Sequence, residues 1–229
     1  MEGTTVNIKD KVGYSALANI QDSMVKGASG WVESNNVSFS KTIKAGGVLA
    51  HDLASGQVDS TGAVINSSWA AKQSHMLIMG VDTSMDNLGN TADPNNIASP
   101  DNLKYSETLR TLFIGEDSGN HLNNFLWAYN VDTKQLIRLL SAPAGAESTG
   151  LHAVDNVNGW TYIMSNFQHA GDEWDRFYKV DSKTGVRTGL SENDQKVLTD
   201  AINKNYNNGF AASVGYITAD PIAPSVVKK

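Results

Sequence analysis

The residues best placed to do chemistry in this sequence are carboxylates, each set in its own turn. Glu147 lies in the Gly/Ser/Thr-rich run Pro143–Gly150. A strand-like run follows, Trp160-Thr161-Tyr162-Ile163-Met164-Ser165, and it ends in the polar group Asn166-Phe167-Gln168-His169. The same order occurs twice more. Glu2, in Met1-Glu2-Gly3-Thr4-Thr5, precedes Val12–Leu17, and Asp101, in Ser99–Leu103, precedes Thr111–Gly115 and then Glu116 and Asp117. In each unit the acid stands roughly 11 to 15 residues ahead of the strand's centre, which marks an internal repeat. Carboxylates brought together repel unless they are neutralised, and their natural partner is a hard cation such as Ca²⁺.

Composition narrows the chemistry. The 229 residues are 40% hydrophobic and 18% charged, with a net charge of −6. That fits an ordinary globular chain, and no basic patch points to nucleic acid. There is no cysteine, which excludes disulfides, thiolate metal sites and a cysteine nucleophile. No apolar run reaches membrane-spanning length, and no signal peptide opens the chain. No P-loop, dinucleotide fingerprint or Ser/His/Asp order is identifiable.

The elements that must hold the acids read as short strands. Thr4–Ile8 and Gly13–Ala18 flank a tight turn at Lys9-Asp10-Lys11, and residues 21–45 form a polar surface excursion. Gly46–Leu53 is a strand, Val58–Trp69 returns from it, and Lys72–Ile78 follows. Val81–Asn96, with Asp82, Asp86 and Asp93, reads as a solvated loop rather than a calcium loop, because its spacing is not that of an EF-hand. GVLAHDLASGQV, FLWAYNVDTKQL and RFYKVDSKTGVR are three versions of one hairpin. Ser191-Glu192-Asn193-Asp194 reads as a capping box before a helix over Glu192–Tyr206. Phe210–Ile217 reads as one more strand.

Small antiparallel units that cannot bury both faces alone are stabilised by stacking around an axis. The expected fold is therefore all-β, a single β-propeller domain over 1–229 with three or more blades and a helix near the C-terminus. Propellers typically need at least four blades. Three blades, and a repeat already under way at Met1-Glu2, read as part of a larger propeller, incomplete at its N-terminus. Innermost strands would line a channel, and Glu2, Asp101 and Glu147 would meet at one mouth of it.

Four motifs carry a resemblance: SPDNL (Ser99–Leu103), LFIGEDSG (Leu112–Gly119), GAESTG (Gly145–Gly150) and FQHAGDE (Phe167–Glu173). In this order they resemble the PhoX-type bacterial alkaline phosphatase family, and Met1-Glu2-Gly3 is similar to an acid-bearing motif that precedes them. The resemblance runs along most of the chain. It implies a β-propeller phosphomonoesterase that uses calcium and iron (Ca²⁺ and Fe³⁺) on a small phosphate ester, in the periplasm or secreted. Residue by residue it implies Glu147 and Glu2 as metal-binding acids, Asp101 and Asn102 as the family's PDN element in the same metal site, and Gln168 and His169 as its catalytic QH pair; Glu116 and Asp117, at a strand end, read from the residues alone as calcium ligands or as turn acids. Ala170 stands where the family usually has Pro, and the family's bridging cysteine has no counterpart, so calcium is the firmer expectation.

Blander readings stand beside each of these. Glu147 could cap local amides, Asp101-Asn102 is a common turn sequence, and Asp117 could face water. His169 could be a satisfied polar residue at a strand end, and His51 reads as structural. Trp127, Tyr129, Trp160, Tyr162 and Phe177 read as packing between blades. Two other functions remain open: a metal-dependent lactonase-type hydrolase, and a non-catalytic calcium-binding propeller that serves as an interaction module. The phosphate-clamping arginines and the oligomeric state are not legible.

Overall fold

The computed structural model describes residues 1–171, 177–205 and 212–219. Two four-stranded antiparallel meanders come first. One is β1 (Thr4–Asn7), β2 (Val12–Leu17), β3 (Gly47–Ala54) and β4 (Ala70–Met79); the other is β5 (Pro100–Ser106), β6 (Thr111–Glu116), β7 (Asn123–Asn130) and β8 (Leu136–Ala144). β9 (Glu147–Val157) and β10 (Trp160–Gln168) begin a third sheet. β11 (Tyr178–Val180) and β12 (Arg187–Gly189) form a separate two-stranded ladder. Helix α1 (Glu192–Asn205) follows, and β13 (Ser213–Ala219) returns to pair with β10, giving the order β13-β10-β9. Among the described residues the protein is thus mostly β with one α-helix, as the sequence led us to expect at that level.

Period-two patterning builds the main core. Tyr14 and Ala16 of β2 stand opposite Ala50 and Val48 of β3, so one face of that sheet is apolar. It meets Leu103 and Tyr105 of β5, Leu112 and Ile114 of β6, and Phe125, Trp127 and Tyr129 of β7. The first strands of the three sheets run side by side. Gly3 N–H donates to Asp101 O at 2.6 Å, Tyr105 N–H to Thr5 Oγ1 at 3.1 Å, and Gly150 N–H to Asn102 Oδ1 at 3.1 Å. At the far end Ser106 Oγ–H donates to Asp155 at 2.5 Å.

The repeat shows itself again in the turns. The β1–β2, β5–β6 and β9–β10 turns each contain a left-handed non-glycine residue: Lys11, Arg110 and Asn158, at φ 54°, 53° and 53°. In each, a side chain at the end of the incoming strand accepts an amide three residues on: Asn7 from Asp10, Ser106 from Leu109, and Asn156 from Gly159. Such local side-chain caps stabilise tight turns.

Several expectations need correction. The return strand after β3 is Ala70–Met79; most of 58–69 is a loop, shaped by Asp59, which accepts from Thr61 and Ala63. The 21–45 excursion is not merely polar surface. Ile20, Ile43 and Ala45 are buried in a second small cluster with Ala92 and Ala98, and Phe39 and Met24 pack on it. Ser99–Leu103 is no lead-in turn, because β5 begins at Pro100. Glu147 likewise opens β9 instead of sitting in a loop. The third hairpin does not take the place its counterparts hold: β13 occupies the edge of β10, and β11–β12 stands apart. The capping box forms as read, with Ser191 N–H and Asp194 N–H each bonded to the other's side chain. Tyr206, Phe210 and the tail at Val226–Lys229 lie outside the described residues.

Candidate functional site

The leading ends of β1, β5 and β9 share one rim, and the singled-out residues lie along it. Glu2 precedes β1, and its N–H donates to Ala16 O at 3.0 Å. Gly3 is required beside it, since a Cβ there would stand 2.5 Å from Asp101 O. Asp101 and Asn102 occupy an irregularity in β5 between Pro100, paired with Glu116, and Leu103, paired with Ile114. A break of this kind re-aims side chains and releases them from the ladder. Asn102 then ties two sheets together. Its Nδ2 donates to Asp101 Oδ2 at 2.5 Å, and its Oδ1 accepts from Gly150 of β9.

Glu147, Gln168 and His169 are in direct contact. Glu147 and Gln168 are register partners across β9 and β10. Gln168 Nε2 donates to Glu147 Oε2 at 3.3 Å and to Thr149 Oγ1 at 3.0 Å. His169, at φ 35°, sets Nε2 2.7 Å from Glu147 Oε1 and Nδ1 3.1 Å from Gly145 O.

Electrostatics connects these groups. Burial pushes the Asp101 carboxyl above its usual range, and the charges of Asp117 and Glu2 push it further, against the hydrogen bond from Asn102. Burial also raises Glu147. His169 opposes that rise, while Asp117, within hydrogen-bonding reach of Glu147, adds to it. The structure therefore brings together Glu2, Asp101, Asn102, Asp117, Glu147, Gln168 and His169. No described lysine or arginine forms an ion pair with any of the four acids. Among the described residues, no group of three or more His, Asp or Glu side chains is arranged to hold a metal ion by itself.

Other acids are spent on the fold. Glu116, read beside Asp117 as a calcium ligand or a turn acid facing water, is neither: it is fully buried. It accepts from Ala98 N–H, Trp127 Nε1–H and Phe125 N–H, and stands 3.0 Å from His121 Nδ1. In the 81–96 loop Asp82 accepts from Lys44 and Ala45, Asp86 from Leu88, Gly89 and Asn90, and Asp93 from Asn95 and Asn96. Asp86 and Asp93 are turn-formers, and Asp82 ties the loop to the 44–45 backbone.

Arg110 and Arg138 are elsewhere as well. Arg110 sits at the opposite end of β5, where it clamps Asp10 at 2.5 Å and Asp132 at 2.8 Å. Arg138 stacks on Phe125, 4.0 Å from the ring centre, and donates to Pro94 O. Arg176 lies outside the described residues. His51 is structural as read, bridging Ser15 and Ser74.

Sequence reasoning missed Thr149 and Gly150. Thr149 is two residues from Glu147 on one strand, so strict alternation puts both on the face that Gln168 reaches. Gly150 takes φ 60°, and a Cβ on it would meet the Asn166 side chain at 2.2 Å. Comparison with known families, curated proteins and solved structures finds no family model, curated protein or solved structure that matches the chain.

Proposed function

We propose that the protein is a β-propeller phosphomonoesterase that binds Ca²⁺ at this carboxylate rim. The two meanders and the β9–β10–β13 sheet are its blades, with β1, β5 and β9 innermost. One observation carries the reading. Acids from three sheets meet at one rim, and no described lysine or arginine neutralises them. Leaving clustered carboxylates without a counter-charge is costly, so a cation is the expected partner.

The donor set suits calcium, a hard cation that takes oxygen ligands from carboxylates, amides, backbone and water. Glu2, Asp101, Asn102, Asp117 and Glu147 would hold it. Iron fits less well, because both ring nitrogens of His169 already face Glu147 and Gly145. A bound cation would supply charge stabilisation for a phosphoryl oxygen and a lowered pKa for attacking water. The chain's own part follows from its contacts. Asn102 holds Asp101 in place, and Gln168 and His169 hold Glu147 to one edge of the rim. His169 is the group that would move a proton to or from a substrate oxygen. An open site of this kind binds calcium weakly, which suits the periplasm or the outside of the cell, where calcium is abundant.

A second reading, a calcium-holding propeller without turnover, is favoured by one fact: Arg110 and Arg138 are both committed to partners away from the rim. The test is elemental analysis of the purified chain, with phosphate release assayed on the same sample with and without added Ca²⁺. Calcium-dependent release that Glu147→Ala abolishes supports the phosphatase. Bound calcium with no release from phosphate esters gives the site to the module, or, if lactones open instead, to a lactonase. A metal-free protein unaffected by calcium would end the carboxylate argument.

A further inference from the structure

A cavity of about 580 Å³ lies between the outer face of the first sheet and the 21–45 segment. Leu17, Leu49 and Met76 line it from the sheet, and Met24, Val37 and Phe39 line it from the segment. The volume falls within the range of small-molecule sites, which are typically apolar with a few polar groups. Asn36, Ser38 and Ser74 supply such groups at its wall. Methionine side chains are flexible and polarisable, and they favour contact with aromatic rings.

Its position gives it a role. Met1 also lines the cavity, and the next residue, Glu2, is a rim acid. Glu2 N–H is bonded to Ala16 O, next to the cavity residue Leu17. Cavity and rim therefore meet at a single pair of backbone segments, Met1-Glu2 and Ala16-Leu17. A molecule with a flat apolar body in the cavity would lie against the backbone that carries Glu2.

We propose that this cavity binds the apolar aryl portion of the substrate, so that the preferred esters are aryl phosphates rather than phosphates of small polar alcohols. The assignment of a phosphate ester rests on the function proposed above, whereas binding of the aryl group does not depend on it. The two are tested separately. Binding of 1-naphthol is measured by calorimetry on the full chain, and hydrolysis of 1-naphthyl phosphate is compared with that of glycerol 2-phosphate, with calcium present. Val37→Trp fills the cavity from the side of the 21–45 segment, and Phe39→Ala widens it.

Naphthol binds the wild type, and Val37→Trp weakens it about tenfold or more, the scale on which apolar pockets discriminate. The kcat/KM for the naphthyl ester exceeds that for the glycerol ester by about tenfold or more, and Val37→Trp removes the difference through KM. Failure of naphthol to bind overturns the proposal. Naphthol binding with equal hydrolysis of both esters overturns the link to the rim and leaves the phosphatase standing. Naphthol binding with no hydrolysis of either removes the phosphatase and keeps the aryl site. Self-association that Val37→Lys abolishes, without naphthol binding, gives the cavity to a second copy and overturns the proposal.

Discussion

Glu116 and Asp117 are consecutive residues with opposite surroundings. Glu116 is the last residue of β6, fully buried, with four groups directed at its two oxygens. Asp117 is exposed and faces Glu147 and Asp101, which are carboxyls themselves. One acid organises its neighbours and the other burdens them. A buried acid is tolerable only when donors satisfy it, and an acid among acids is eased by holding its proton or by a cation. The difference separates acids that build this fold from acids free to act on something else.

The sharpest way to break that comparison is at Glu116. Glu116→Ala strands Ala98 N–H, Phe125 N–H, Trp127 Nε1–H and His121 in the interior, and should cost about 3–5 kcal/mol in urea unfolding. A loss below about 0.5 kcal/mol, the scale of surface changes, would mean that the buried knot is not structural. Next comes the cation. Calcium at about a hundred times its Kd should stabilise the wild type by about 2.7 kcal/mol. Glu147→Ala should lower calcium affinity about tenfold, or about 1.4 kcal/mol, read by titration calorimetry. Unchanged affinity would remove Glu147 from the site.

Gly150→Ala is expected to cost about 1–2 kcal/mol for the left-handed backbone alone, with a further loss from the clash with Asn166. A neutral outcome in a thermal melt would show that the β9 backbone can relax there. The smallest effect has the opposite sign. Asp101→Asn and Glu147→Gln should stabilise the metal-free protein by about 0.5 kcal/mol after allowing for solvent screening, read as a raised thermal midpoint. Both acids titrate above their unfolded values, so the folded chain holds their protons longer. Metal-free stability therefore falls as pH rises from the ordinary carboxylate range through the raised folded values, and calcium affinity grows over the same window. Melts and titrations across that window check both signs, and a metal-free protein that gains stability there would contradict the crowding of the rim.

Much of this was legible in the residues. The acid spacing located Glu2, Asp101 and Glu147, and the structure sets all three at one rim. Alternation gave the strands around Tyr14, Val48, Leu112 and Trp127, because a half-buried strand repeats every second residue. Two kinds of information were not local. Glu116 and Asp117 look alike in sequence, and only the partners from Ala98, Phe125 and Trp127 tell them apart. The seat of β13 on β10 depends on a competition between two strands for one edge, which no window of sequence contains. The loop at 58–69 was misread because Val58 and Val64 suggest a strand, while Asp59 folds the chain back on itself.

That competition at β10 reaches into how the chain is made. In the first two sheets every strand bonds to the strand made just before it, so each can close as soon as it leaves the ribosome. The third sheet must wait while β11, β12 and α1 emerge before β13 arrives to cover Phe167, Met164 and their neighbours. Until then β10 presents a row of open backbone groups, ready to accept whichever strand comes first. β13 is thus the guard of an edge, and the time before it arrives is when the newborn protein is most exposed to the wrong partner.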